Sequence, residues 1–421
     1  MISKERLQKH LDTLAAIGKR EDGFYRLAFT DDDWQGRDYL IGEMKKAGLS
    51  IRVDAFGNVI ARREGTDASA DAPAVLYGSH ADSVPGGGNF DGIVGTLCAL
   101  EVMTSLQEDG FANELPLEQI LFMCEESSRF GAATLGSRAM RDELTIDDLH
   151  RLKDKQGVTL YEALKSRDLR PDELPSAVYT APAKAFLEVH IEQGKVLEAK
   201  NIPLGLVTGI AAPTRFRVHI DGSADHSGAT PMGLRSDGAC FAAEVILAVE
   251  KIASEYGKDN DFPAVVGTVG IVNVTPNVMN VIPGKVTLGI DIRSISAEAK
   301  ADAVRRIREF VEEVSKRRGI PYSVEPVSDE KPAVLSEAAV NLLADTAAEV
   351  LPEAVTLRMP SGAGHDAMHW AEYCPTGMIF IPCRDGISHN GAEHAEIDDI
   401  TDACRLLEAA VKKLSCKDVT L

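Results

Sequence analysis

Short apolar runs that stop abruptly at histidines or acids punctuate both ends of the chain. Ala74-Val75-Leu76-Tyr77-Gly78 is a continuous apolar run that ends at Ser79-His80, the pattern of a strand buried on both faces. Gly92 to Met103 follows, with helix length and good helix formers. Gln119 to Cys124 repeats the strand pattern and stops at Glu125-Glu126, Ala185 to Val189 stops at His190, and Thr376 to Pro382 runs into a loop carrying His389. Strands alternating with helices predict a parallel α/β sheet, in which ligands bind beyond the carboxyl ends of the strands. Four separate strand ends therefore deliver His or acidic residues to the edge where a site is expected.

The middle of the chain has another rhythm. Phe216–Ile220 alternates Arg217 and His219 with apolar neighbours, Ser236–Tyr256 reads as a helix, and Val265–Val274 and Lys285–Ile292 alternate as half-buried strands. Ala297–Arg317 is a charged amphipathic helix and Pro321–Val327 a last strand. The order β-α-β-β-α-β is the ferredoxin-like one. We read 213–328 as a unit inserted into an α/β domain formed by 1–212 and 329–421.

Composition narrows the partners. With 65 acids against 45 bases the net charge is −20, a surface that repels nucleic acid and anionic membranes. No apolar run approaches a bilayer span, and the charged amphipathic start, MISKERLQKHLDTLAAIGKR, does not read as a secretory signal. The seven cysteines are scattered without a CxxC pair, which argues against a disulfide framework or a cysteine zinc site and for a reducing cytoplasm.

His80 and Asp91 flank the glycine-rich Gly87-Gly88-Asn89 turn, which lets both side chains face one point. Asp82 is placed to orient the imidazole, and Asp91 alone would serve equally as a cap for the following helix. Glu125 and Glu126 repel unless a cation sits near them. On a strand their side chains would diverge, whereas beside a metal one ligates and the other acts as general base. His190, His389 and His226 each have bland readings: core, solvated loop, and a turn that capping explains except for the ring itself. His10, His150 and His394 read as structural or undecided, and His365 as lying behind a ligand. Taken together, three histidines and two or three carboxylates on separate strand ends suit two divalent cations with nitrogen and oxygen donors. Zinc fits best, with manganese, cobalt or nickel possible.

The strings Gly78-Ser79-His80-Ala81-Asp82, Gly87-Gly88-Asn89-Phe90-Asp91-Gly92, Glu125-Glu126, His190-Ile191-Glu192-Gln193-Gly194 and Ser361-Gly362-Ala363-Gly364-His365-Asp366-Ala367 occur in this order over nearly the whole chain. This pattern resembles the amidase/hydantoinase/carbamoylase family of dimetal hydrolases, which includes N-carbamoyl-L-amino acid hydrolases, allantoate amidohydrolases and β-ureidopropionases. The resemblance implies an aminopeptidase-like mixed-sheet domain with an inserted ferredoxin-like α+β domain that serves as lid and forms a homodimer. It implies that His80 and His190 hold one metal, Glu126 and His389 the other, Asp91 bridges them, and Glu125 is the general base. Gln193, His226, Asn280 and Arg293, with the backbone at Gly362 and Ala363, would bind substrate, His226 reaching the partner's site. The implied reaction is cleavage of a ureido C–N bond in a small carboxylate substrate, an N-carbamoyl-L-amino acid or allantoate, with release of ammonia and carbon dioxide. Ser127, the His226-Ser227-Gly228-Ala229-Thr230-Pro231-Met232 string and Ala212-Pro213-Thr214-Arg215 depart from the usual family residues, which leaves the substrate open. A dimetal dipeptidase or aminopeptidase, or a non-catalytic ligand-binding homologue, are the competing expectations.

Overall fold

The structure, a computed structural model, describes residues 1–67, 69, 71–257, 262 and 264–421. They divide into two compact units. The first comprises Met1–Thr208, Leu335–Met359 and Gly364–Leu421; the second comprises Gly209–Val334 with Pro360–Ala363.

The first unit is built on a large mixed sheet. Its centre is four parallel strands, in spatial order Thr376–Ile381, Ala183–Ile191, Ala74–His80 and Leu117–Phe122. Antiparallel strands extend both sides: Leu204–Ile210 beside the first, and Val59–Arg63 then Ser50–Val53 beyond the last. Every residue of Ala74–His80 and of Leu117–Phe122 is buried, which is why apolar residues run together in Ala74–Gly78 and Ile120–Phe122 rather than alternating.

Helix Ile93–Glu108 packs on these strands and is buried on all sides from Ile93 to Met103. Its apolar residues show no stripe, as expected of an interior helix. Helix Ile397–Leu414 packs against it and has a clear apolar face, with Ile400, Leu407, Val411 and Leu414 buried. Each such fully buried aliphatic side chain contributes about 1.5–3 kcal/mol of hydrophobic stabilisation. Among the described residues no helix is long and apolar enough to cross a membrane.

The second unit is a four-stranded antiparallel sheet in the order Val266–Thr275, Lys285–Ser294, Ala212–Asp221, Tyr322–Asp329. Helices Gly238–Ser254 and Ala297–Arg318 complete the β-α-β-β-α-β succession. Asp237 caps the first helix by accepting from the N–H groups of Ala239 and Cys240, an arrangement worth about 1 kcal/mol. Phe216, Val218, Ile220, Leu288 and Ile290 meet Phe241, Val245, Ile307 and Val311 in one core. The alternate residues Arg215, Arg217, His219 and Asp291 are only partly buried, as period-2 patterning requires.

Candidate active site

The site lies at the carboxyl ends of the parallel strands of the first unit. His80 is the last residue of its strand and His190 the last but one of the next, and both are 1% exposed. Helix Ile93–Glu108 starts beneath them. A side chain at its Gly92, where φ is +66°, would place a Cβ 2.4–2.5 Å from the His80 ring atoms, so only glycine allows this approach.

Each buried imidazole is fixed by a backbone carbonyl. His80 Nδ1 lies 3.1 Å from the Asp82 carbonyl oxygen, and His190 Nδ1 lies 2.9 Å from that of Ile191. A carbonyl only accepts, so both rings carry Nδ1–H and turn an unprotonated Nε2 inward, the tautomer of a metal ligand; that of His190 accepts the Gly92 N–H at 3.2 Å. The Asp91 carboxylate sits among them. One of its oxygens is 3.4 Å from His80 Nε2 and 3.2 Å from His190 Nε2, and the other is 3.4 Å from His389 Nε2. His389 Nε2 lies 3.4 Å from Glu126 Oε1, and His80 Nε2 lies 3.7 Å from Glu125 Oε2.

The sequence pattern runs the strand from Gln119 to Cys124 and lets the two glutamates diverge. The structure corrects both expectations. The strand ends at Phe122, where Arg37 takes the Phe122 carbonyl and the Asn58 amide oxygen takes the Met123 N–H. Cys124 then adopts φ +57° and turns the chain. The Asp82 carboxylate accepts the N–H of Glu125 at 3.2 Å and of Glu126 at 3.1 Å. It therefore holds the backbone of the acid pair, while its carbonyl serves His80. Both glutamates are buried, Glu125 beside His80 and Glu126 beside His389.

This concentration of charge moves the proton affinities of the histidines and of the paired glutamates. Burial alone would lower His80, but the carboxylates of Glu125, Asp82 and Asp91 outweigh it and raise the ring. His190 is raised in the same way, chiefly by Asp91 against its burial. His389 is raised to about 9, first by its contact with Asp91. Burial and then Asp91 push Glu126 up to about 8. Burial also lifts Glu125 well above the carboxylate range, with His80 opposing and Glu126 adding. Three buried carboxylates that draw protons onto three imidazoles equally draw cations.

Two donor sets meet at Asp91. His80, Asp91 and His190 form one, Asp91, Glu126 and His389 the other, with the ligand atoms of each set within 4.8 Å of one another. The donors around a tetrahedral ion with bonds of 2.0–2.2 Å are spaced about 3.3–3.6 Å apart. The contacts of 3.2–3.4 Å around Asp91 match that spacing, and all donors are nitrogen or oxygen. The residues present fit a pair of divalent ions.

Gln193 joins the group, donating its amide N–H to Asp91 at 2.6 Å while its own amide oxygen is buried without a partner. Gln193, His389 and Cys124 all hold positive φ, so left-handed non-glycine residues collect around the donors. His365 stands edge-on to His190 with ring centroids 4.5 Å apart, and burial keeps its imidazole well below the ordinary range.

The other expected residues belong to the second unit. His226 and Asn280 lie on two exposed loops joined by hydrogen bonds from Ser227 N–H to the Asn280 carbonyl and from Ile282 N–H to that of Asp225. His226 Nδ1 accepts the N–H groups of Gly228 and Ala229, each at 3.1 Å. The ring is thereby held with its proton on the outward Nε2. Arg293 is braced by Asp291 and donates to the Gly362 carbonyl at 3.0 Å, and the Ala363 N–H is bound by Ser361.

Three buried acids escaped the sequence reading. Glu188 accepts from Ser79 Oγ and the Ala367 N–H, Asp366 from Ser137 Oγ, and Glu393 from the N–H groups of Phe90 and Asp91. Strand alternation puts Glu188 on the same face as His190, a usable signal. The other two follow glycine-rich or irregular segments that carry no period.

Comparison with known proteins agrees with this architecture. The family model described as "Peptidase family M20/M25/M40" matches residues 76–413. The chain is 39% identical to an N-carbamoyl-L-amino acid amidohydrolase of Geobacillus stearothermophilus, covering 99% of both chains. It is 38% identical to a ureidoglycolate hydrolase of Oryza sativa subsp. japonica, covering 98% of this chain and 85% of the relative. A crystal structure of an amidase of the hydantoinase/carbamoylase family from Burkholderia multivorans superposes with a TM-score of 0.90 at 35% identity, over 99% of both chains. The chain belongs to peptidase family M20/M25/M40 and, within it, to the hydantoinase/carbamoylase amidases.

Proposed function

We propose that the chain is a metal-dependent amidohydrolase that cleaves the ureido C–N bond of a small carboxylate, either an N-carbamoyl-L-amino acid or a ureido acid of the allantoate or ureidoglycolate kind. The single observation that carries this reading is the pair of nitrogen-oxygen donor sets sharing Asp91, with Glu125 beside them but outside both. His80 and His190 are assigned to one cation and Glu126 and His389 to the other, with zinc as the metal. When bound, such a pair supplies Lewis acidity to a carbonyl and lowers the pKa of water.

The chain's own groups do the rest. Glu125 takes a proton from the attacking water and returns it to the leaving nitrogen, and its burial raises its proton affinity well above the ordinary carboxylate range. His226 offers Nε2–H to the developing oxyanion, its tautomer set by two backbone N–H groups. Arg293 pairs with the substrate carboxylate through its guanidinium fork, and Asn280, Gln193 and the backbone at Gly362 and Ala363 complete the contacts. The carbamate product would decompose to ammonia and carbon dioxide.

The second unit is assigned to lid and homodimer formation. Its edge strand Val266–Thr275 leaves Val266, Ile271 and Val272 exposed, as a sheet edge waiting for a partner does. Seven unpaired cysteines support a cytoplasmic setting.

The test is a substrate panel on purified protein, metal-loaded or chelator-stripped. Turnover of N-carbamoyl amino acids or ureido acids that disappears on stripping and returns with divalent metal is expected. Faster cleavage of dipeptides, or equal turnover without metal, overturns the reading.

A further inference from the structure

The two loops that carry Asp91 and His389 are joined by one carboxylate. Glu393 is 4% exposed and lies outside both donor sets. Its Oε1 accepts the backbone N–H of Phe90 at 2.9 Å and of Asp91 at 3.0 Å. Its Oε2 contacts Ser388 Oγ at 3.1 Å, and that hydroxyl reaches Asp91 Oδ2 at 3.0 Å. The carboxylate thus grips the main chain of one loop and the residue preceding His389 on the other. The sequence makes room for it: a Cβ on Gly88 would lie 2.1 Å from Glu393 Oε1 and 2.3 Å from its Cδ.

The donors differ in how much they need such a grip. His80 and His190 sit on strands, and each is oriented by a carbonyl of its own segment. His389 has no strand beneath it. It holds φ +56°, its side chain is 50% exposed, and its side-chain contacts are Gln193, Asp91 and Glu126. Its position therefore depends on how its loop is tied down.

We infer that Glu393 is a positioning residue that clasps the Asp91 loop to the His389 loop and so sets the affinity of the Asp91–Glu126–His389 cation position more than that of the His80–Asp91–His190 position. This inference rests on the two-metal reading given above. Groups that orient metal ligands typically change affinity 10–100-fold when removed, as an order of magnitude.

Glu393→Ala should then bind one equivalent of cobalt(II) close to wild-type affinity and a second about 10–100-fold more weakly, measured by visible absorption during titration of the metal-stripped full chain and by chelator competition. Its kcat should recover at high metal while KM changes little. Glu393→Gln keeps an oxygen for the two N–H groups and offers an N–H to Ser388, so it should restore the second site. Ser388→Ala cuts one arm of the clasp and should fall between. A Glu393→Ala protein with two wild-type affinities overturns the inference. So does a Glu393→Gln protein as impaired as the alanine variant at an unchanged melting temperature. Should Glu393→Ala fail to fold, the comparison of Ser388→Ala and Glu393→Gln with wild type decides alone: wild-type affinity in Ser388→Ala, or a lost second site in Glu393→Gln, overturns the clasp. A wild type that takes up no cation overturns the metal reading itself, and the clasp with it.

Discussion

The two units treat charge in opposite ways. In the first, Asp91, Glu125, Glu126, Glu188, Asp366 and Glu393 are all buried, crowded at the strand ends with the three buried imidazoles of His80, His190 and His365 and the half-exposed His389. In the second, Arg215, Arg217, His219, Asp291, Arg293 and Glu325 sit at least partly exposed on one face of the sheet and pair with one another, across strands except for Arg293 with Asp291 on its own strand, over a core free of buried carboxylates among the described residues. Burying a charge costs several kcal/mol unless something compensates it. A chain that gathers six buried acids at one edge has a local use for them, whereas a paired surface face costs little and contributes little to stability. The difference teaches where to look: the buried, proton-shifting acids are gathered in the first unit, while the charges of the second are paired and partly exposed.

The largest expected effect probes that assignment at Glu125, a buried carboxylate beside the His80 ring that belongs to neither donor set. Glu125→Gln preserves shape and removes the proton carrier. Turnover should fall by about 10²–10⁴-fold, the usual range for a general acid–base group, with metal content unchanged by elemental analysis. Loss of metal together with activity would instead make Glu125 a ligand; retained turnover would dismiss it as a base.

The site was partly legible because its residues lie where apolar runs stop. Burial on both faces forces unbroken apolar strands, so His80 and His190 announce themselves at their ends. The alternation of Phe216–Ile220 likewise marks a half-buried sheet, and capping by Asp237 starts the following helix near where the sequence places it. Illegible were features made by hydrogen bonds between distant segments. Cys124 turns the chain because Arg37, Asn58 and Asp82 claim the backbone around it, and none of these is close to it in sequence. Glu393 meets Phe90 and Asp91 across about three hundred residues.

A smaller effect is expected from the second unit's contribution to binding. Arg293 is held by Asp291 at 3.0 Å and by the Gly362 carbonyl, leaving other N–H groups of its fork free for a ligand. Hydrogen bonds to a charged group are worth about 1.5–3 kcal/mol, so Arg293→Ala should raise KM by about 10–100-fold for a carboxylate substrate, with smaller change in kcat and none in metal content. Lysine should not substitute fully, since it lacks the planar fork. A substrate whose carboxylate is amidated should be nearly indifferent to the change. If KM stays at the wild-type value, the carboxylate is bound elsewhere and the division of labour between the units fails.

The smallest effect belongs to a charge that does nothing for the reaction if the comparison holds. Glu325 accepts from Arg217 at 2.8 Å and lies 3.0 Å from His219 Nε2, all three side chains being more than a third exposed. The hydrogen bond with His219, and then Arg217, hold its carboxyl below the ordinary value. An acid depressed in the folded state stabilises the fold at pH above its unfolded pKa, and that contribution disappears as pH falls through the folded value. Glu325→Gln should therefore lower the melting temperature slightly at neutral pH, and the difference should vanish in acid and shrink in high salt, since exposed pairs are screened. Turnover and metal content should match wild type. A large loss of stability at neutral pH, or any loss of metal, would show that this face is tied to the buried acids after all, and the contrast between the two units would have to be abandoned.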